Sequence, residues 1–121
     1  MKDDKLKKVI KIIKALSDES RIRIVNLLKA KKGICVCEIT EIINLSQPTI
    51  SSHLKKLEEV EIVYFSKDGL WVNYYFNEAM DPEIKELINM IIKIIEKDPN
   101  TNKDLQRIKN TDRLLICCKK Q

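Results

Sequence analysis

SQPTISSHLKKLEEV, residues 46–60, is the stretch on which the fold turns. Ser46 supplies a helix cap, and Pro48 falls in the first turn, where a missing N–H costs nothing. Ile50, Leu54 and Leu57 recur at spacings of four and three, which is one buried stripe of a helix. The other faces carry Gln47, Thr49, Ser51, Ser52, His53, Lys55 and Lys56. A face that is only solvated more often pairs glutamate with lysine. Short hydroxyl and amide groups suit base edges in a groove, and lysines suit phosphates.

Upstream, apolar spacing from about Val36 to Ile43 predicts a short helix stopped at Asn44. Downstream the period changes to two. IVYFS (62–66) and WVNYYF (71–76) flank KDGL, and Asp68-Gly69 is a hairpin turn signal. Two short helices, a tight turn between them and a hairpin after them is the order of a winged helix-turn-helix. The fold expected is therefore mainly α with a β-hairpin wing, its second helix entering the major groove of DNA.

Further out, Leu6, Val9, Ile10, Ile13 and Leu16 recur at three and four, the stripe of a first helix, with Ile12 beside it. Ser17-Asp18-Glu19-Ser20 supplies caps for a second helix bearing Ile22, Ile24, Val25, Leu27 and Leu28, which Lys31-Lys32-Gly33 ends. Asp81-Pro82 opens a long helix from about Glu83 to Glu96. Its Ile84, Leu87, Ile88, Met90, Ile91, Ile92, Ile94 and Ile95 cover more of the circumference than one stripe needs. That surplus predicts burial against a second copy of the chain, at an interface the first helix could join. Residues 1–97 are expected as the DNA-binding and dimerisation domain. Residues 98–121 are expected as a C-terminal tail, polar at first, weakly periodic through Leu105, Ile108, Leu114 and Leu115, and ending near Cys117-Cys118.

Composition narrows the class. A chain of 121 residues, 44% apolar and 34% charged, makes one compact domain with a well-solvated surface. A net charge of +5 suits an anionic partner. No window approaches about 18 consecutive apolar residues, so no membrane span is expected. The opening MKDDKLKKVIKIIKAL has no uninterrupted apolar core of the signal-peptide kind, which points to the cytoplasm. A single histidine leaves no histidine–carboxylate–nucleophile set to assemble. With no phosphate-cradling glycine loop either, an enzyme is not expected.

The four cysteines form one C-x-C, Cys35 and Cys37, and one vicinal pair, Cys117 and Cys118. Adjacent Cα atoms lie about 3.8 Å apart, below the usual disulfide range of about 4.4 Å upward, so reduced thiols are expected. On a regular helix, residues i and i+2 are about 200° apart and cannot hold one ion. Cys35 and Cys37 follow Gly33 at the start of a helix, where the first turn can be extended and both sulfurs can project to one side. The N–H groups there favour thiolate. The bland alternative is two small buried cysteines filling the core, and incidental thiols in the tail.

The runs ALSDESRIRIVNLL (15–28), ICVCEITEIINLSQPTISSHLKKLEEVEIV (34–63) and KDGLWVNYYF (67–76) resemble the ArsR family of metal- and metalloid-responsive repressors. The resemblance spans about residues 6 to 96. It implies a dimeric winged helix paired through its first and last helices, bound to operator DNA. The recognition helix would run from Gln47 to Lys56 and the wing tip would lie at Lys67–Gly69, with Lys67 a DNA contact. His53 would be a DNA contact and not a metal ligand. Glu61 departs from the family, whose members usually carry glycine there.

"CVCE" resembles the arsenic-sensing segment of the family, in which a third cysteine often follows; here that position is Thr40. A complete site would then need Cys117 or Cys118 beside Cys35 and Cys37. Three thiolates suit As(III) or Sb(III), whereas all four would suit tetrahedral Zn(II) or Cd(II). The family's zinc sensors place histidine on the last helix, and its cadmium and lead sensors draw cysteines from the N-terminal arm; this chain has neither. The open alternatives are a repressor sensing oxidants or reactive sulfur through the same thiols, a divalent-metal sensor, and a DNA-binding module with no ligand.

Overall fold

The structure is a computed structural model that describes residues 4–111. It comprises α1 (Lys5–Leu16), α2 (Glu19–Ala30), β1 (Ile34–Cys35), α3 (Val36–Ile43), α4 (Gln47–Glu59), β2 (Val63–Asp68), β3 (Trp71–Phe76), α5 (Pro82–Ile95) and α6 (Pro99–Asn110). The strands form one antiparallel sheet in the order β1-β3-β2. This is the mainly helical winged helix-turn-helix expected from the sequence. Among the described residues no helix is long and apolar enough to cross a membrane.

Local chemistry sets most boundaries. Asp4, Asp18, Ser46, Asp81 and Asp98 cap α1, α2, α4, α5 and α6, each accepting a backbone N–H of the first turn. α3 ends on Asn44 in the left-handed region, φ 62°, which turns the chain into α4 within two residues. α4 ends in a Schellman motif: Ile62 N–H donates to Leu57 O at 3.0 Å and Glu61 N–H to Glu58 O at 2.9 Å. That motif needs a positive φ at its penultimate residue. Glu61 adopts 61° there, so the glycine geometry is kept without the glycine.

The core gathers Ile24, Leu27 and Leu28 of α2, Ile39 and Ile42 of α3 and the whole α4 stripe Ile50, Leu54 and Leu57, all at most 2% exposed. Each such side chain contributes about 1.5–3 kcal/mol on burial. α3 therefore packs directly against α4.

Details of α1, α5 and the hairpin refine the sequence expectation. In α1 the buried residues are Ile12, Ala15 and Leu16, while Leu6, Ile10 and Ile13 of the recurring stripe stay exposed. Only the Leu16 end of the stripe joins this chain's core; Val9 is half-buried and the other three face away from it. On α5 only Ile88 is buried within this chain, while Leu87, Met90 and Ile94 are exposed, which is the apolar surplus the sequence expected on this helix. In the hairpin, Asp68 pairs with Trp71, so the two turn residues are Gly69 (φ 63°) and Leu70, one place beyond the Asp68-Gly69 signal.

The stretch beyond residue 97 begins with α6, which packs against α2 and α3 and buries Thr101, Asp104 and Ile108. Local periodicity there is weak because its strongest anchor is polar. Arg23 Nε and Nη2 donate to the two Asp104 carboxylate oxygens at 2.8 Å each.

Candidate functional site

On α4 the stripe points inward, and Gln47, Thr49, Ser51, Ser52, Lys55 and Lys56 are exposed together. Thr49 is partly engaged in the cap, its Oγ1 lying 2.8 Å from Ser46 Oγ. His53 is half-buried, with Nδ1 3.1 Å from Arg21 Nη1. Arg21 in turn donates from Nε to Ala15 O at 2.6 Å. α2 thus braces the middle of α4 through Arg21, a contact that sequence spacing could not reveal. Asp18 sits beside this brace. Burial pushes its carboxyl up, but the Arg21 N–H, the Arg21 charge and His53 together hold it below the ordinary value.

Lys67 is exposed on β2, at the far end of the strand from Val63, its one buried residue. Ring pairs stiffen the wing: Tyr64 stacks on Tyr75 with centroids 5.2 Å apart, and Phe65 tilts against Tyr74 at 5.8 Å. An exposed polar helix face next to a stiff basic-tipped hairpin has the makings of a groove-and-backbone contact.

The thiols lie at the other end of the helix-turn-helix. Cys35 is the last extended residue, φ −87° and ψ 163°, and is 4% exposed. It pairs across the sheet with Asn73 and caps α3. Cys37 is already the second residue of α3 and is half-buried. In this conformation the helix has closed between them, where the sequence analysis expected an extended first turn. The closure is held by Glu38, fully buried, whose Oε1 accepts Cys35 N–H at 3.0 Å and whose Oε2 accepts Lys31 Nζ at 3.0 Å. Cys35 and Glu38 form a capping box. The C-x-x-E spacing from Cys35 to Glu38 is the sequence signal of that box, absent from the expectation above.

Thr40, where a third local thiol would stand, has a buried Oγ1 with no hydrogen-bond partner among the described residues. Cys117 and Cys118 lie outside the described residues. Among the described residues no group of three or more histidine, cysteine, aspartate or glutamate side chains is arranged to hold a metal ion. The donor chemistry of Cys35 and Cys37 fits a soft thiophilic ion. To chelate one they would need the first turn of α3 to open and at least one further sulfur.

Residues 18–64, from the cap of α2 to the start of the wing, match the model of the bacterial regulatory protein, arsR family. A relative from Staphylococcus aureus, an arsenical resistance operon repressor, is 39% identical over 70% of this chain and 81% of its own length. The chain belongs to the arsR family. A cadmium resistance transcriptional regulatory protein CadC homolog, also from Staphylococcus aureus, is 36% identical over 66% of this chain and 64% of its own. Among solved structures, HlyU from Vibrio cholerae N16961 superimposes with a TM-score of 0.65 at 26% identity, covering 77% of this chain and 97% of that one. Within this arsR-family chain, α3 and α4 form the helix-turn-helix and β2–β3 the wing.

Proposed function

We propose that this arsR-family protein is a homodimeric repressor that binds operator DNA and releases it when As(III) or Sb(III) is bound by Cys35, Cys37 and Cys117 or Cys118. The observation that carries the reading is the position of Cys35. It caps α3, and α3 packs directly against the recognition helix. Opening the first turn to bring the two sulfurs together would break the Cys35–Glu38 box and disturb the support beneath α4. Each thiol gives up its proton on binding, so the site favours neutral and higher pH.

Gln47, Thr49, Ser51, Ser52 and His53 would read base edges, while Lys55, Lys56 and Lys67 neutralise phosphates. The exposed Leu6, Ile10 and Ile13 of α1 and Leu87, Met90 and Ile94 of α5 supply the face for a second copy. Residues 1–97 bind DNA and dimerise, and residues 98–121 carry the closing thiols. The relative named for arsenical resistance supports the metalloid. The relative named for cadmium resistance supports a second reading, in which all four thiolates hold Cd(II) or Zn(II).

Fluorescence anisotropy of the reduced dimer on labelled upstream DNA tests both. Release by arsenite, with coupling of about 1–3 kcal/mol or roughly 5- to 150-fold in affinity, is expected. Release by cadmium alone would favour the second reading. Release only by peroxide would replace both with a redox sensor.

A further inference from the structure

We infer that Arg21 is a positioning residue for DNA recognition: it holds His53 as a hydrogen-bond donor only, so that this point of α4 takes an acceptor of the DNA. That role rests on the reading of α4 as the helix that meets DNA, and it fixes the polarity of one contact there.

The polarity follows from the partners. Arg21 Nη1 lies 3.1 Å from His53 Nδ1. A guanidinium has N–H donors and no acceptor, and it keeps its proton in proteins. Nδ1 is therefore the acceptor and carries no hydrogen. In a neutral imidazole the hydrogen then sits on the other nitrogen, so Nε2 is an N–H donor. An imidazolium would set Nδ1–H against Nη1–H and break the contact.

Arg21 is itself held in place. Its backbone N–H donates to Asp18 Oδ1 at 3.1 Å, in the cap of α2. Its Nε donates at 2.6 Å to Ala15 O, one of the carbonyls that the end of α1 leaves without a helical partner. The negative end of α1 favours a cation there. With Nε so tied, the planar guanidinium presents Nη1 to the ring.

The two ring nitrogens point in different directions. Nε2 has no hydrogen-bond partner among the described residues, and it is not shut in the core. His53 is half-buried because it straddles two faces of α4. Ile50 and Leu57, one turn to either side, are buried, while Thr49 and Lys56, also one turn away, are exposed. A donor at the edge of that exposed face can meet purine N7, guanine O6, thymine O4 or a phosphate oxygen. It cannot meet the amino groups of cytosine N4 or adenine N6. A ring free to exchange tautomers could meet both kinds.

The chain has one histidine, so isotope-labelled histidine gives the ring-nitrogen NMR signals of His53 alone. In the wild-type protein at neutral pH, Nδ1 should show the shift of a bare nitrogen and Nε2 that of an N–H. In Arg21→Gln, whose amide can donate or accept, the two shifts should move toward each other. The wild-type spectrum decides the tautomer even where Arg21→Gln costs stability.

Fluorescence anisotropy on labelled upstream DNA reads the contact itself. Base analogues that each lack one major-groove acceptor, and methylphosphonates in place of phosphates, locate it on a base edge or on the backbone. Losing the matching acceptor should weaken wild-type binding roughly 2- to 12-fold, the worth of one hydrogen bond, and His53→Ala binding not at all. Arg21→Gln should shrink that loss. His53→Gln puts an amide N–H near the place of Nε2 and should keep the loss with or without Arg21. A bare Nε2 and a protonated Nδ1 in the wild-type ring would overturn the assignment. So would the full acceptor loss in Arg21→Gln, an equal effect of Arg21→Gln in both backgrounds, or no acceptor whose loss depends on His53. A wild-type protein with no affinity for the DNA would instead sink the reading of α4 on which this role depends.

Discussion

Arg23 on α2 and Asp104 on α6 meet fork to fork, through two hydrogen bonds of 2.8 Å. The Asp104 side chain is 1% exposed and that of Arg23 20%. Asp104 also raises the guanidinium's affinity for its proton. Such a pair is weak evidence of net stabilisation, because both charges were desolvated to form it. Removing one partner is another matter. Arg23→Ala leaves a carboxylate buried and unpaired, and should cost about 3–5 kcal/mol in urea unfolding. A loss below 1 kcal/mol would mean that α6 is not part of the cooperative unit.

Glu61 holds a left-handed conformation that a Cβ disfavours, and its Schellman bonds require it. Glu61→Gly should therefore stabilise the fold by about 1 kcal/mol, less the entropy that glycine adds to the unfolded chain. Thermal unfolding would show a higher midpoint with operator affinity unchanged.

Asp18 supplies an acid-sensitive increment. Its folded value lies below 3.8, so the folded state favours the charged carboxylate. Its contribution is complete above the unfolded value and is lost as pH falls through the folded one. Asp18→Asn keeps a cap but removes this titration. The substituted protein should lose less stability than the parent below about pH 4. Denaturant midpoints collected across that range would decide it.

DNA contacts divide by chemistry. Lys55→Ala should weaken binding on every sequence and reduce the slope of log affinity against log salt by about 0.9. Ser51→Ala or Gln47→Ala should change the ranking of operator variants and leave the slope nearly intact. A Lys55→Ala protein with an unchanged slope would remove that residue from the phosphate contacts.

Glu38→Gln keeps an acceptor for Cys35 N–H but gives up the ion pair with Lys31. The first turn of α3 should become easier to open. We expect release at lower arsenite concentration, together with a fold less stable by about 0.5–2 kcal/mol. An unchanged midpoint for release would show that turn opening does not limit the response.

Much of this fold was legible because its signals are local. The stripe Ile50–Leu54–Leu57, the Ser46 cap and the period-two arms of the hairpin each rest on neighbours in sequence. What escaped was tertiary. Nothing near Asp104 announces Arg23, eighty-one positions away, so α6 read as a weakly periodic tail. The outward turn of Leu6, Ile10 and Ile13 depends on which flank of α1 the rest of the chain covers. At the thiols, the sequence located the start of α3 but not its closure, because the buried Glu38 holds the turn shut through its own cap. His53 could be placed on the recognition helix from its number alone, yet its contact with Arg21 could not.

Cys35 is at once the last rung of a ladder and the first post of a helix. Its pairing with Asn73 makes it part of the same sheet as the wing, and its capping makes it part of the support for α4. On the proposed reading, the two elements that contact DNA therefore meet at this one residue. A displacement of Cys35 would then reach the helix and the wing directly, with no relay between them.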